Sequence, residues 1–208
     1  MRVSVLVRPV CAAPGFKDMT MSKITYSYRR PGELRKHYLG EHDVEVLLAR
    51  LPPELWVRLR AVHFNDRGIG VRCLGYVNGG RREIAICALP PRVSLARFLD
   101  RQSPRQFGAL RGHQWPETAV RRFLLYDVFL HELGHLQVID PEARTERRRF
   151  AGQTKAQEFA DEWRARLWAE PFAHPDRIHN PPSEMELELL RHEMQLRTSP
   201  EQSCAAPA

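Results

Sequence analysis

Lysine is scarce in this chain. Lys17, Lys23, Lys36 and Lys155 are its only lysines, so the net charge of +7 over 208 residues is carried almost wholly by arginine. A guanidinium fork matches phosphate oxygens, which keeps nucleic acid among the possible partners. An arginine-favouring coding sequence gives the same composition, and the arginines are spread along the chain, with one dense cluster at Arg144, Arg147, Arg148 and Arg149. Nucleic acid is therefore not the favoured partner. Cysteine is also sparse: Cys11, Cys73, Cys87 and Cys204 form no CxxC pair. That argues against a disulfide framework and favours a reducing cytoplasm. Long apolar runs are missing too. The longest carries Asp127, His131, Glu132 and His135, so it reads as a buried helix and no membrane span is expected. Residues 1–10 fall short of a signal peptide because Arg8 and Pro9 cut their apolar region. There is no internal repeat and no low-complexity block.

What remains, 43% hydrophobic and 27% charged residues, is enough for one ordinary core. The reading is a single domain over residues 23–197, between an unstructured leader (1–22, with Met19 and Met21 as alternative starts) and a frayed tail (198–208). Strands are expected at 25–28 and 57–64, and a short helix at 44–51, stopped by Pro52 and Pro53. The clearest hairpin joins residues 70–77 to 81–89 through Asn78-Gly79-Gly80, with Asn-Gly supplying the positive φ of a tight turn. Cys73 and Cys87 lie diagonally on its arms. A short helix is expected at 93–99. A long helix takes Pro116 as its first residue and Glu117 in its first turn, runs to about Val138, and is closed by Asp140-Pro141. A second helix covers 154–169. Ser183-Glu184-Met185-Glu186 is a capping-box pattern opening the last one. Strands first and helices afterwards describe an α+β domain.

The long helix contains His131-Glu132-Leu133-Gly134-His135. Residues four apart project from one helical face, so both imidazoles can reach one point in space. Glu132 stands on the next row, placed to take a proton from an attacking water. Phe123, Leu124, Leu125, Tyr126, Val128, Phe129, Leu130, Leu133 and Leu136 surround the motif. In such surroundings, two histidines and a glutamate cost several kcal/mol unless partnered, and a metal ion is an economical partner. Neutral imidazoles and an adjacent base point to zinc-assisted hydrolysis. Gly134 weakens the helix, which suggests close approach by another element.

Phe129-Leu130-His131-Glu132-Leu133-Gly134-His135-Leu136 resembles the zincin metallopeptidases. The resemblance implies a zincin-like single domain, with a small antiparallel or mixed sheet packed on the HExxH helix and a following ligand helix. It implies Zn²⁺ on His131 and His135, Glu132 as general base, and a peptide or protein substrate held along an antiparallel edge strand, here 83–87. Residues 136–141 hold neither the glycine nor the third histidine of the metzincins. The gluzincin branch instead takes its third ligand as a carboxylate on the next helix, where Ala156, Phe159, Ala160, Trp163 and Leu167 form an apolar stripe. Matching that branch's alanine and acidic residue to Ala160 and Asp161 puts Gln157 in the ligand place. Requiring a carboxylate selects Glu158 instead, and Glu158 is preferred because zinc favours a charged oxygen. Asp161 or a loop histidine remains open. Asp127 is a candidate orienting partner for His131. His174 and His179 are candidates for an oxyanion contact or a lid, and Arg164 is either a substrate-binding or a surface arginine. The expected function is a zinc-dependent metallopeptidase. The alternatives are a DNA-associated protease resembling the SprT-like group, or an inactive metal-stabilised interaction or toxin-system module.

Overall fold

β1 (Thr25–Tyr28) and β2 (Ala61–Asn65) run parallel, with α1 (Glu41–Ala49) in the crossover between them. β3 (Gly75–Asn78) and β4 (Glu83–Cys87) form an antiparallel hairpin, and β4 lies parallel to β2. The sheet order is β1-β2-β4-β3. This computed structural model describes residues 24–67, 73–99, 102–138, 144–145 and 152–198. The expected leader, the first residues of the hairpin, the Asp140-Pro141 helix stop, Arg147 to Arg149 and the residues after 198 lie outside the described residues.

Side chains alternate across a strand, so register sorts them into two faces. Tyr26, Val62, Ile84 and Val77 align in one row, and Tyr28, Phe64, Ile86 and Gly75 in another. Val62, Phe64, Ile84 and Ile86 are buried and join the helical core. The opposite face carries Ser27, His63, Ala85 and Tyr76.

Two expectations for the hairpin are corrected. The strand at 83–87 is not the edge, because β4 pairs with β2 on one side and β3 on the other; the edge strand is β3. Nor do Gly79 and Gly80 take positive φ. Asn78 pairs with Glu83, leaving four loop residues. The Arg82 N–H bonds to the Gly79 carbonyl, and Arg82 alone turns left-handed, at φ 60°. A loop of that length closes around an ordinary turn and does not need the two-residue mirror-image form. Cys87 lies opposite Leu74, not Cys73, and both thiols are free.

The long helix has three parts. α2 (Glu117–Phe123) passes into a π-helical segment (Leu124–Phe129) and then into α3 (Leu130–Gln137). Pro116 is the N-cap rather than the first helical residue. All six π-segment residues are buried. Val128 packs so tightly on the edge strand that a Cβ at Gly75 would fall 2.8 Å from its Cγ1. α4 (Gln153–Ala169) lies against α3. Gly134 lets the two backbones approach: a Cβ there would meet Ala156 O at 2.9 Å and Ala156 Cα at 3.0 Å.

α5 (Glu184–Thr198) forms half of the expected capping box, with the Glu186 N–H donating to Ser183 Oγ at 3.1 Å. The Glu186 carboxylate turns instead to Arg122, accepting at 2.7 and 3.0 Å. Arg122 is buried, and its guanidinium also donates to the carbonyls of Arg177 and Asn180. One charged side chain thus ties the last helix and the loop before it to α2. The fold is α+β, with a four-stranded mixed sheet. Among the described residues no helix is long and apolar enough to cross a membrane.

Candidate metal centre

His131 and His135 sit one turn apart on α3, and their rings meet edge-on with centroids 4.8 Å apart. Their Nε2 atoms are 3.1 Å apart. Two imidazole nitrogens on one tetrahedral zinc, each at about 2.0 Å, stand roughly 3.3 Å from one another. The pair therefore needs almost no rearrangement to hold a metal ion.

The tautomer of His131 follows from its neighbours. Gln157 Oε1 lies 3.0 Å from His131 Nδ1, while Gln157 Nε2 donates to Asp127 Oδ1 and Asp161 Oδ1, each at 3.2 Å. Two carboxylates fix the amide the right way round, so its oxygen faces the ring and Nδ1–H donates to it. His131 Nε2 then presents a lone pair toward His135 Nε2. Gln153 Oε1 lies 3.0 Å from the same nitrogen. Three heteroatoms converge there, which is a setting that a cation relieves.

The carboxylates behind Gln157 are themselves tied down. Gln102 Nε2 bonds Asp161 at 3.0 Å and Asp127 at 3.3 Å, and Arg164 spans both with its two terminal nitrogens. Asp127 is buried, and that burial raises its carboxyl pKa despite the guanidinium. At Asp161 burial pushes the same way, but hydrogen bonds from Gln102, Arg164 and Gln157 outweigh it and hold the carboxyl below its usual range. Asp127 is thus linked to His131 through Gln157 and is not its direct partner. Arg164 is buried, not a surface arginine.

Glu132 is 8% exposed. Burial first, and then the charge of the nearby Cys73, push its carboxyl up to about 8, opposed by a hydrogen bond from the Val77 backbone. Val77 belongs to β3, so the HExxH glutamate bonds to the sheet's edge strand.

Other candidates fall elsewhere. Glu158 is exposed on α4. It follows Gln157 by one residue, about 100° around the helix, so the side chain facing His131 is the amide and not the expected carboxylate. Asp161 is drawn into the Arg164 network and not to the histidine nitrogens. His179 is buried against Tyr126 and stacks edge-on with His174 at 4.4 Å. Both belong to a cluster with Asp43, Arg121 and Asp176, not to the HExxH site. Among the described residues no three His, Cys, Asp or Glu side chains converge as a metal site; the side chains of α4 nearest His131 are the Gln153 and Gln157 amides. Sequence reasoning missed Gln153, Gln102 and the Val77 N–H. The available signal was the four-residue spacing of Gln153 and Gln157, which matches that of the histidines. Comparison with protein-family models, curated proteins and solved structures finds no match.

Proposed function

We propose that the chain is a zinc-dependent metallopeptidase of the zincin type, acting on peptide or protein substrates. The observation that carries this reading is the 3.1 Å approach of the His131 and His135 Nε2 atoms, with Glu132 beside them and the β3 edge within its reach. Zinc bound there supplies a Lewis acid that polarises the scissile carbonyl and eases ionisation of water. Gln157 keeps the His131 lone pair on Nε2. Gln153, at the start of α4, is the neighbouring oxygen donor. Glu132 takes a proton from the attacking water and passes it to the leaving amine. A substrate strand laid along β3 competes for the Val77 N–H and frees Glu132 for that role.

The amides at Gln153 and Gln157 favour one second reading, a metal-stabilised interaction module without turnover, since a neutral oxygen is a weaker zinc ligand than a carboxylate. Metal analysis beside cleavage of a broad peptide library separates the two. Glu132→Gln is expected to keep its metal and lose hydrolysis at least a hundredfold. Unchanged turnover removes the mechanism. Stoichiometric zinc with no cleavage by the unmodified chain supports the module. Metal retained by His131→Ala and His135→Ala removes both.

A further inference from the structure

The outer face of the sheet, turned away from the core, holds a cavity of about 350 Å³ that the HExxH site does not use. Ser27, His63, Ala85 and Tyr76 cross its floor as one row of the sheet. Ala85, the smallest of the four, is buried within the sheet. Arg29, Arg67 and Arg81 also line the cavity. The Arg67 N–H bonds to Asn65 Oδ1 at 3.0 Å and the Arg81 N–H to Asn78 Oδ1 at 3.3 Å, which fixes where these two side chains leave the backbone.

Arg35, Arg105, Arg121, Arg122, Arg164 and Arg166 pair with carboxylates. Among the described residues, the guanidiniums of Arg29, Arg67 and Arg81 have no such partner, and neither have those of exposed arginines such as Arg58, Arg60 and Arg82. What sets the three cavity arginines apart is that they line one hollow. The lining includes one carboxylate, Glu83, which faces His63 Nε2 at 3.5 Å, while His63 Nδ1 is bonded to Ser27 Oγ at 2.6 Å. Three guanidiniums and one carboxylate leave a charge of +2, equal and opposite to a phosphate dianion. Hydroxyl chemistry points the same way. Asn65 Nδ2 donates to the Tyr76 oxygen at 2.9 Å, so the Tyr76 proton is directed away from Asn65 and available to an acceptor. Arginine forks and a hydroxyl donor are the groups that recognise phosphate oxygens. The volume falls at the small end of the range for small-molecule sites.

We propose that this cavity binds the phosphate group of a small phosphorylated molecule, with Arg29, Arg67 and Arg81 receiving the phosphate oxygens and Tyr76 donating to one of them. The site is separate from the metal centre and does not depend on it.

Calorimetric titration of the full chain with adenosine monophosphate and with inorganic phosphate, at low ionic strength, tests it. Saturable one-to-one binding is expected, weakened about tenfold by Arg81→Gln and lost in the Arg29→Ala/Arg67→Ala/Arg81→Ala variant. Binding is expected to be unchanged in His131→Ala. Tighter binding of the nucleotide supports an organic phosphate ester as ligand, and equal affinity supports free phosphate. Absent binding, full affinity in both arginine variants, loss in His131→Ala, or citrate binding as tightly as phosphate overturns the proposal. The substituted arginines are exposed, and thermal melting of each variant checks that it folds.

Discussion

Two amides flank His131, one at each ring nitrogen. Gln157 Oε1 faces Nδ1 and Gln153 Oε1 faces Nε2, each at 3.0 Å. Removing the orienting amide by Gln157→Ala is expected to weaken metal binding about tenfold to a hundredfold, the usual cost of losing such support. Glu158→Ala should leave it unchanged, and Gln153→Glu should tighten it by adding a charged oxygen. Competition with a chelator reads all three; equal affinity across the set would discard this assignment. The meeting of His131 and His135 on one helical face was legible in the sequence, because residues four apart project together. The third donor was not. Charge preference selected Glu158, whereas helix phase turns Gln157 toward the ring, and phase is invisible until the contact face of α4 is known.

At the scale of elements, α3 and α4 meet backbone to backbone at Gly134. A methyl group there would press on Ala156 O and Cα, neither of which can rotate aside. Gly134→Ala is therefore expected to destabilise the fold by about 1–3 kcal/mol, despite the better helix propensity of alanine. A lowered urea midpoint shows it, and an unchanged or raised one refutes it. Strand β1 and the hairpin could be read from alternation and turn residues. The rank of the hairpin arms could not, because local pattern says nothing about which arm pairs with β2. Burial of Ile84, Ala85, Ile86 and Cys87 on both faces is the mark of a central strand. The π segment was hidden for a related reason: a stretch apolar on every side has no stripe whose drift would betray a wider turn.

Across the whole molecule, one buried histidine sets a pH response. His179 is surrounded by His174, His42, Asp43, Asp176, Arg121 and Tyr126. Burial first, with His174 and Arg121 adding, pushes its pKa down from 6.5 to about 4, against the pull of Asp176. The unfolded chain therefore takes up this proton before the folded one does. Stability from this site is complete above 6.5 and declines as pH falls toward 4. Glu132, with its carboxyl pushed up to about 8, works in the opposite sense over the same range, so the test is a comparison. On going from about pH 7.5 to about pH 5, the urea midpoint of the unmodified chain should lose ground relative to that of His179→Phe. The same change in both would contradict it. The π segment has a consequence of another kind, for the gene. A wide turn of this sort accommodates an extra residue without changing how the flanking helices face. A one-codon deletion within 124–129 should relax that turn and leave Arg121 and Arg122 in phase with His131 and His135. The same deletion at Leu130, between the π segment and His131, should swing one pair about 100° from the other. Metal content of the two deletion variants would show whether the reading of this helix has slack at a single place.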